Sequence, residues 1–180
     1  MSRLVFGYGS LVHRGTHGFG GCRRAHLEGW ERVWVHTPAR SLAYLSVRPA
    51  PGVRIAGLAA EVPDADWPAL DRREAGYDRH KVRVALGAGG EAVAEVYAVP
   101  AAACLPPTER HPILQSYLDT VLGGFSAEYG PGAVAEFVAT TRGWEAPILD
   151  DRARPRYSRA IAPDPGLRAE IDAALAALGR

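Results

Sequence analysis

The chain has 180 residues, enough for one domain with a sizeable core, and its composition is ordinary for a water-soluble globular protein: 47% hydrophobic, 23% charged, net charge +1. That balance gives no electrostatic reason to expect nucleic acid or a membrane as partner, and no apolar run is long enough for a membrane-spanning helix. The two cysteines, Cys22 and Cys104, form neither a CxxC pair nor a ladder of spacings, so they read as small, inert residues rather than a zinc site or a disulfide framework.

Residues 3–8 (RLVFGY) suit a strand, and Gly9 opens a turn. The strand begins too soon for a targeting segment, so the expected location is cytoplasmic. Residues 13–22 (HRGTHGFGGC) read as a glycine-rich loop. The stretch RRAHLEGWERVWVH follows, and its second half alternates around Trp30, Val33 and Val35 as a strand does. SLAYLSVRPAPG and VRIAGLAAEVP read as two further strands joined by a Pro/Gly turn at 49–52. Asp64 is placed to cap a short helix through ADWPALDRREAG, with Pro68 near its first turn and Gly76 ending it. YDRHKVRVAL and EAVAEVYAVP flank GAGG as a hairpin.

After Pro106 and Pro107 the pattern turns helical. HPILQSYLDTVLGGFSAEYG sets Ile113, Tyr117, Val121 and Leu122 on one face, with Phe125 beyond a glycine pair. PGAVAEFVATTRGW starts at Pro131 as a second helix. The tail DPGLRAEIDAALAALGR lines Leu167, Ile171, Leu175 and Leu178 along a third. Strands followed by helices argue an α+β fold with a mainly antiparallel or mixed sheet that can close into a barrel. Between the helices, residues 140–160 are polar, arginine-rich and broken by prolines, with Trp144 and Tyr157 as anchors. A stretch this long without periodicity often has a job, such as folding over a cavity mouth or making a homodimer contact. The plainer reading, a wrap around the barrel that pairs Asp150 and Asp151 with arginines, is favoured because surface ion pairs need no function. Residues 1–180 then form one domain, with 140–180 as its C-terminal wrap and helix.

The segment GYGSLV (7–12) invites three mechanistic readings, and each fails. A dinucleotide fingerprint needs a third glycine where Val12 stands. A P-loop needs a Gly-Lys-Ser/Thr ending. A nucleophile elbow needs glycines where Tyr8 and Val12 stand around Ser10. What remains is a tight turn at a strand end, which is either a plain connection or an anion site made of backbone N–H groups. A second stretch, LDRREAGYDRHKV (70–82), puts Glu74 at the C-terminal end of the short helix, where the helix dipole disfavours an acid. Surface pairing with Arg72, Arg73 or Arg79 is the unremarkable explanation. His13 and His17 have a metal-ligand spacing only if helical, and Gly15 lies between them. Ser10 with His13 or His36 lacks an acid that would make it a hydrolase site.

Taken together, the two stretches resemble the gamma-glutamylcyclotransferase family, including its ChaC-like and gamma-glutamylamine cyclotransferase branches. Phe6-Gly7-Tyr8-Gly9-Ser10-Leu11 is similar to the family's N-terminal signature, in a form nearest the ChaC-like branch. Asp71-Arg72-Arg73-Glu74, Gly76 and Tyr77 are similar to the second, and the resemblance runs over residues 3–125. It implies a mixed β-barrel of about six strands flanked by helices. It also implies a cofactor-independent, metal-free enzyme that releases 5-oxoproline from a small γ-glutamyl peptide or amide, glutathione included. Gly7, Tyr8, Gly9, Ser10 and Leu11 would hold the α-carboxylate of the substrate, and Glu74 would be the acid/base. Tyr77 and Tyr117 would line the substrate site, although a packing role suits both tyrosines equally. Arg40, in the variable stretch 36–52, would meet a second substrate carboxylate. The competing class is a non-catalytic module of the same fold that binds a γ-glutamyl ligand or another protein.

Overall fold

The computed structural model describes residues 2–179. Strand β1 (Ser2–Gly7) lies between β3 (Tyr44–Pro63), antiparallel, and β5 (Glu91–Ala98), parallel. β5 pairs with β4 (Asp78–Leu86) through the expected GAGG hairpin, and β4 pairs with β2 (Gly20–Val35). β2 and β3 pair with each other, which closes a five-stranded mixed barrel. A two-residue strand, β7 (Thr141–Arg142), adds to the outer part of β2, and β6 (Ile113–Leu114) pairs with β8 (Ile148–Leu149) in a separate small sheet. Four α-helices flank the barrel: α1 (Trp67–Arg73), α2 (Gln115–Tyr129), α3 (Ala133–Ala139) and α4 (Pro165–Ala176).

The longest strands correct two expectations. β2 starts at Gly20, inside the stretch read as loop, and runs for 16 residues. The Pro/Gly turn expected at 49–52 does not reverse the chain, because β3 continues through it for 20 residues. Its partners step from Arg54–Glu28 to Pro49–Trp30, so residues 50–53 stand opposite Gly29 alone. Prolines 49 and 51 have no N–H to give a ladder, and a bulge is where a strand tolerates that. Gly29 (φ +75°) and Gly52 (φ +80°) supply the left-handed backbone the irregularity needs. At α1, Asp64 opens a 3-10 turn (Asp64–Asp66) rather than capping the helix, which starts at Trp67.

The barrel core gathers Phe6, Leu27, Trp34, Ile55 and Leu58, all nearly inaccessible, beneath the buried face of α2. α2 does not stop at its glycine pair. A Cβ on Gly124 would lie 2.6 Å from the His13 amide nitrogen, so the glycine lets the helix touch the turn that follows β1. Arg32 is buried at the same end. Its guanidinium lies 4.6 Å from the Phe137 ring centre and donates to Ala56 O and to the hydroxyls of Thr140 and Thr141. Burial lowers its pKa to about 9, against the opposing charge of Glu136. Asp164 caps α4 through the Leu167 N–H, and Ile171 and Leu175 pack inward. Among the described residues, no helix is long and apolar enough to cross a membrane.

Candidate active site

β1 ends at Gly7, and the chain then makes 3-10 turns at Ser10–Val12 and Arg14–Thr16. The reason for a glycine on each side of Tyr8 is close approach, since neither glycine has a positive φ. A Cβ on Gly7 would fall 2.6 Å from the Leu11 Cβ, and one on Gly9 would fall 2.7 Å from the Tyr117 hydroxyl oxygen. Any side chain there would push away the turn or the tyrosine. Tyr8 itself points into the barrel mouth, where its hydroxyl donates to Tyr97 O at 2.7 Å.

Glu74 is the C-cap residue of α1, where its N–H donates to Leu70 O. Its own carbonyl accepts from the Tyr77 N–H, and this turn starts β4. The Tyr77 hydroxyl donates to Leu45 O at 2.9 Å, tying the turn across to β3. Arg73, only 11% exposed, bridges the two signature stretches. It donates to Thr16 O at 2.9 Å and Ser10 Oγ at 3.2 Å, and its Nε lies 3.3 Å from a Glu74 carboxylate oxygen. Burial raises the Glu74 carboxyl above its ordinary value despite the opposing charges of Arg73, Arg159 and Arg40. Burial also pushes Tyr8, Tyr77 and Tyr117 up, helped by Glu74 and by neighbouring tyrosines (Tyr77 and Tyr117 for Tyr8, Tyr117 for Tyr77, Tyr157 for Tyr117), so all three stay neutral.

These groups line two adjoining hollows. The outer, of about 250 Å³, is lined by Ser10, Arg40, Arg73, Glu74, Tyr77 and Tyr117 and by residues 156–159. The inner, of about 40 Å³, is walled by residues 6–11 together with Glu74, Tyr77, Tyr97 and Tyr117. The structure thus brings Gly7, Tyr8, Gly9, Ser10, Leu11, Glu74, Tyr77 and Tyr117 to one place. A single carboxylate stands there among neutral hydroxyls and a backbone turn. Proton exchange with a small polar ligand is the chemistry this arrangement offers.

Arg40 reaches the rim, donating to Ala75 O and lying 4.4 Å over the Tyr44 ring. His13 and His17 are spent on the local backbone. His13 Nδ1 accepts from the Gly15 N–H, and His17 Nε2 sits 3.0 Å from Leu11 O. The plain wrap favoured for 140–160 is corrected, because residues 156–159 help wall the outer hollow. Among the described residues, Asp151 pairs with no arginine side chain. It is buried and accepts from the Ser116 N–H and hydroxyl and from the Arg156 N–H, at 2.6–2.8 Å. Tyr157 then packs edge-on against Tyr117, with ring centres 5.0 Å apart. The sequence reading did not assign Arg73, Tyr97, Arg156 or Arg159 to the site. Only the proximity of Arg73 to Glu74 was legible, and the others arrive from segments remote in sequence.

The model of the family described as gamma-glutamyl cyclotransferase, AIG2-like, matches residues 5–117. No curated protein matches the chain. Among solved structures, a gamma-glutamyl cyclotransferase is similar at 16% identity and a TM-score of 0.64, over 96% of this chain and 99% of its own. An uncharacterized protein from Homo sapiens is similar at 17% identity and a TM-score of 0.63, over 95% and 98%. YkqA from Bacillus subtilis is similar at 18% identity and a TM-score of 0.59, over 72% of this chain and 50% of its own. At these identities the likeness is one of fold.

Proposed function

The chain belongs to the gamma-glutamyl cyclotransferase, AIG2-like family, and on that premise we propose that it releases 5-oxoproline from a small γ-glutamyl peptide or amide. The observation that carries this reading is the convergence of Glu74, among the described residues the sole carboxylate in the walls of both hollows, with the Gly7–Leu11 turn. In this reading the turn receives the α-carboxylate of the γ-glutamyl group. The substrate then lies with its α-nitrogen and scissile amide beside Glu74, and with its leaving group toward residues 156–159.

A γ-glutamyl amide carries its own nucleophile, so the protein has only to orient it and carry protons from the attacking nitrogen to the departing one. The Glu74 carboxylate takes a proton from the α-ammonium. The freed lone pair attacks the γ-carbonyl carbon, and a carbon–nitrogen bond closes the five-membered lactam. The original amide bond breaks, and the proton held on Glu74 passes to the departing nitrogen. The second proton that the α-nitrogen sheds in becoming the lactam N–H follows by the same carboxylate, so that the amine departs as its ammonium. A carboxyl raised by burial is matched to both halves of that task. The neutral hydroxyls of Tyr8, Tyr77 and Tyr117 bound the reacting atoms without competing for the proton. The two unpaired cysteines and balanced charge suit a reducing cytoplasm.

The test is 5-oxoproline release from glutathione, γ-glutamyl dipeptides and a γ-glutamylamine. Release from at least one supports the reading. Ligand binding without release from any would instead make the chain a γ-glutamyl-binding module.

A further inference from the structure

We propose that residues 156–159 form a leaving-group subsite that selects γ-glutamyl compounds whose departing amine carries carboxylates, with an acidic amino acid as the preferred leaving group. This rests on the cyclotransferase reading of the same cavity.

The argument is one of charge and of anchoring. Four arginines, Arg40, Arg73, Arg156 and Arg159, are among the residues lining the outer hollow, against one carboxylate among the described residues, that of Glu74. Two of the four are committed. Arg73 is held by Ser10, Thr16 and Glu74, and Arg40 by the Ala75 carbonyl and the Tyr44 ring. Among the described residues, no carboxylate lies within ion-pair distance of Arg156 or Arg159. The γ-glutamyl part of a substrate brings one ammonium and one carboxylate, so it leaves that surplus positive charge unmatched. Only the leaving side can match it, and a cationic amine there would meet like charge.

The segment presenting these arginines is built into the fold. Asp151 holds the Arg156 N–H at 2.8 Å and the start of α2 through Ser116. The Tyr157 ring rests on Tyr117, and the Ile161 N–H donates to the Thr120 hydroxyl at 2.9 Å. Just upstream, Arg152 is bound by both Asp119 and Asp172, at 2.7 Å each. Two arginines with no carboxylate partner among the described residues therefore stand on backbone fixed at both ends, in the wall of the hollow that Glu74 also lines.

The experiment compares kcat/KM for three γ-glutamyl compounds of similar size: γ-glutamylglutamate, γ-glutamylglutamine and mono-γ-glutamyl-1,4-diaminobutane. Wild type is set beside the double variant Arg156→Gln, Arg159→Gln. The expected wild-type order is acidic, neutral, cationic, with roughly tenfold between the first two. The double variant loses about tenfold on the acidic compound and less than about twofold on the neutral one. Raising the salt from about 0.05 to about 0.5 M compresses the wild-type order. A flat or reversed order, or an equal loss on all three compounds, overturns the subsite. If wild type releases 5-oxoproline from none of them, it is the cyclotransferase reading that fails. Calorimetric binding of the same compounds then decides the subsite separately. A preference for the acidic compound that the double variant erases upholds it, and equal binding overturns it.

Discussion

Replacing Asp151 tests whether the segment walling the outer hollow is anchored as described. Its buried carboxylate accepts three hydrogen bonds, from the Ser116 N–H at 2.7 Å, the Ser116 hydroxyl at 2.6 Å and the Arg156 N–H at 2.8 Å. Burial alone would raise this carboxyl. The bonds from the Ser116 hydroxyl and from the amides of Arg156 and Ser116 outweigh it and hold the group below the ordinary value. A hydrogen bond to a charged acceptor contributes about 1.5–3 kcal/mol, but water can replace part of the set once the segment lifts. We therefore expect Asp151→Ala to cost about 3–4 kcal/mol. Asp151→Asn, which keeps one acceptor oxygen and turns an N–H group on the other donors, should cost about half as much.

For a chain of this size each kcal/mol corresponds to about 2–4 °C in Tm. Chemical denaturation and thermal melting at pH 7 read the effect. The sign with pH follows from the depressed carboxyl: its stabilisation is present above the unfolded-state value near 3.8 and is lost as pH falls through the lower folded value. The wild-type advantage over Asp151→Asn should therefore shrink as pH drops below about 4. Wild-type stability in Asp151→Ala at pH 7, within about 0.5 kcal/mol, would refute the anchoring argument.

Other consequences are equally direct. Gly9→Ala places a Cβ 2.7 Å from the Tyr117 hydroxyl and 3.2 Å from Leu45 Cδ2, so it should cost about 1–3 kcal/mol and most of the activity. A fully active, fully stable variant would show that this close approach is not needed. Because burial raises the Glu74 carboxyl, stability falls as pH climbs from the unfolded value near 4.5 through the folded one. Glu74→Gln should thus be at least as stable as wild type at pH 7, with the difference vanishing below about pH 4; destabilisation at pH 7 would contradict the assignment of burial as the dominant cause. The acid limb of kcat against pH should likewise fall above the 4.5 of an ordinary Glu. Arg32→Lys, which cannot span Ala56 O and the two threonine hydroxyls at once, should lower stability by about 2 kcal/mol, measured by denaturant unfolding.

The parts of the fold that the sequence revealed are those where one local rule acts alone. The GAGG hairpin, the helix of the C-terminal tail and the strand leading to Tyr8 follow from turn chemistry, amphipathic spacing and residues that suit a strand. Prolines 49 and 51 with Gly52 misled because the same residues serve a turn or a bulge, and only the pairing of β3 with β2 across Gly29 decides between them. What the glycine pair in α2 serves is not legible until the backbone of His13 is seen against Gly124. At the candidate site, Glu74 and the Gly7–Leu11 turn stood out through the likeness of their two stretches to the family's signatures, since each alone also suits a plain structural role. Arg73 was visible only as a neighbour of Glu74. Arg156 and Arg159 sit in a stretch with no periodicity, and the buried Asp151 that fixes it looks like any surface acid until its three donors are known.

The central claim is that one carboxylate moves the proton while the substrate supplies the nucleophile. It is tested by measuring 5-oxoproline release by wild type and Glu74→Gln side by side, on the best γ-glutamyl substrate at neutral pH, with folding of both proteins verified by melting. The account predicts release by wild type and a loss of about 10²-fold or more in kcat for the variant. Wild-type turnover surviving in Glu74→Gln would contradict it, since the reaction would then proceed without the group assigned to carry its proton.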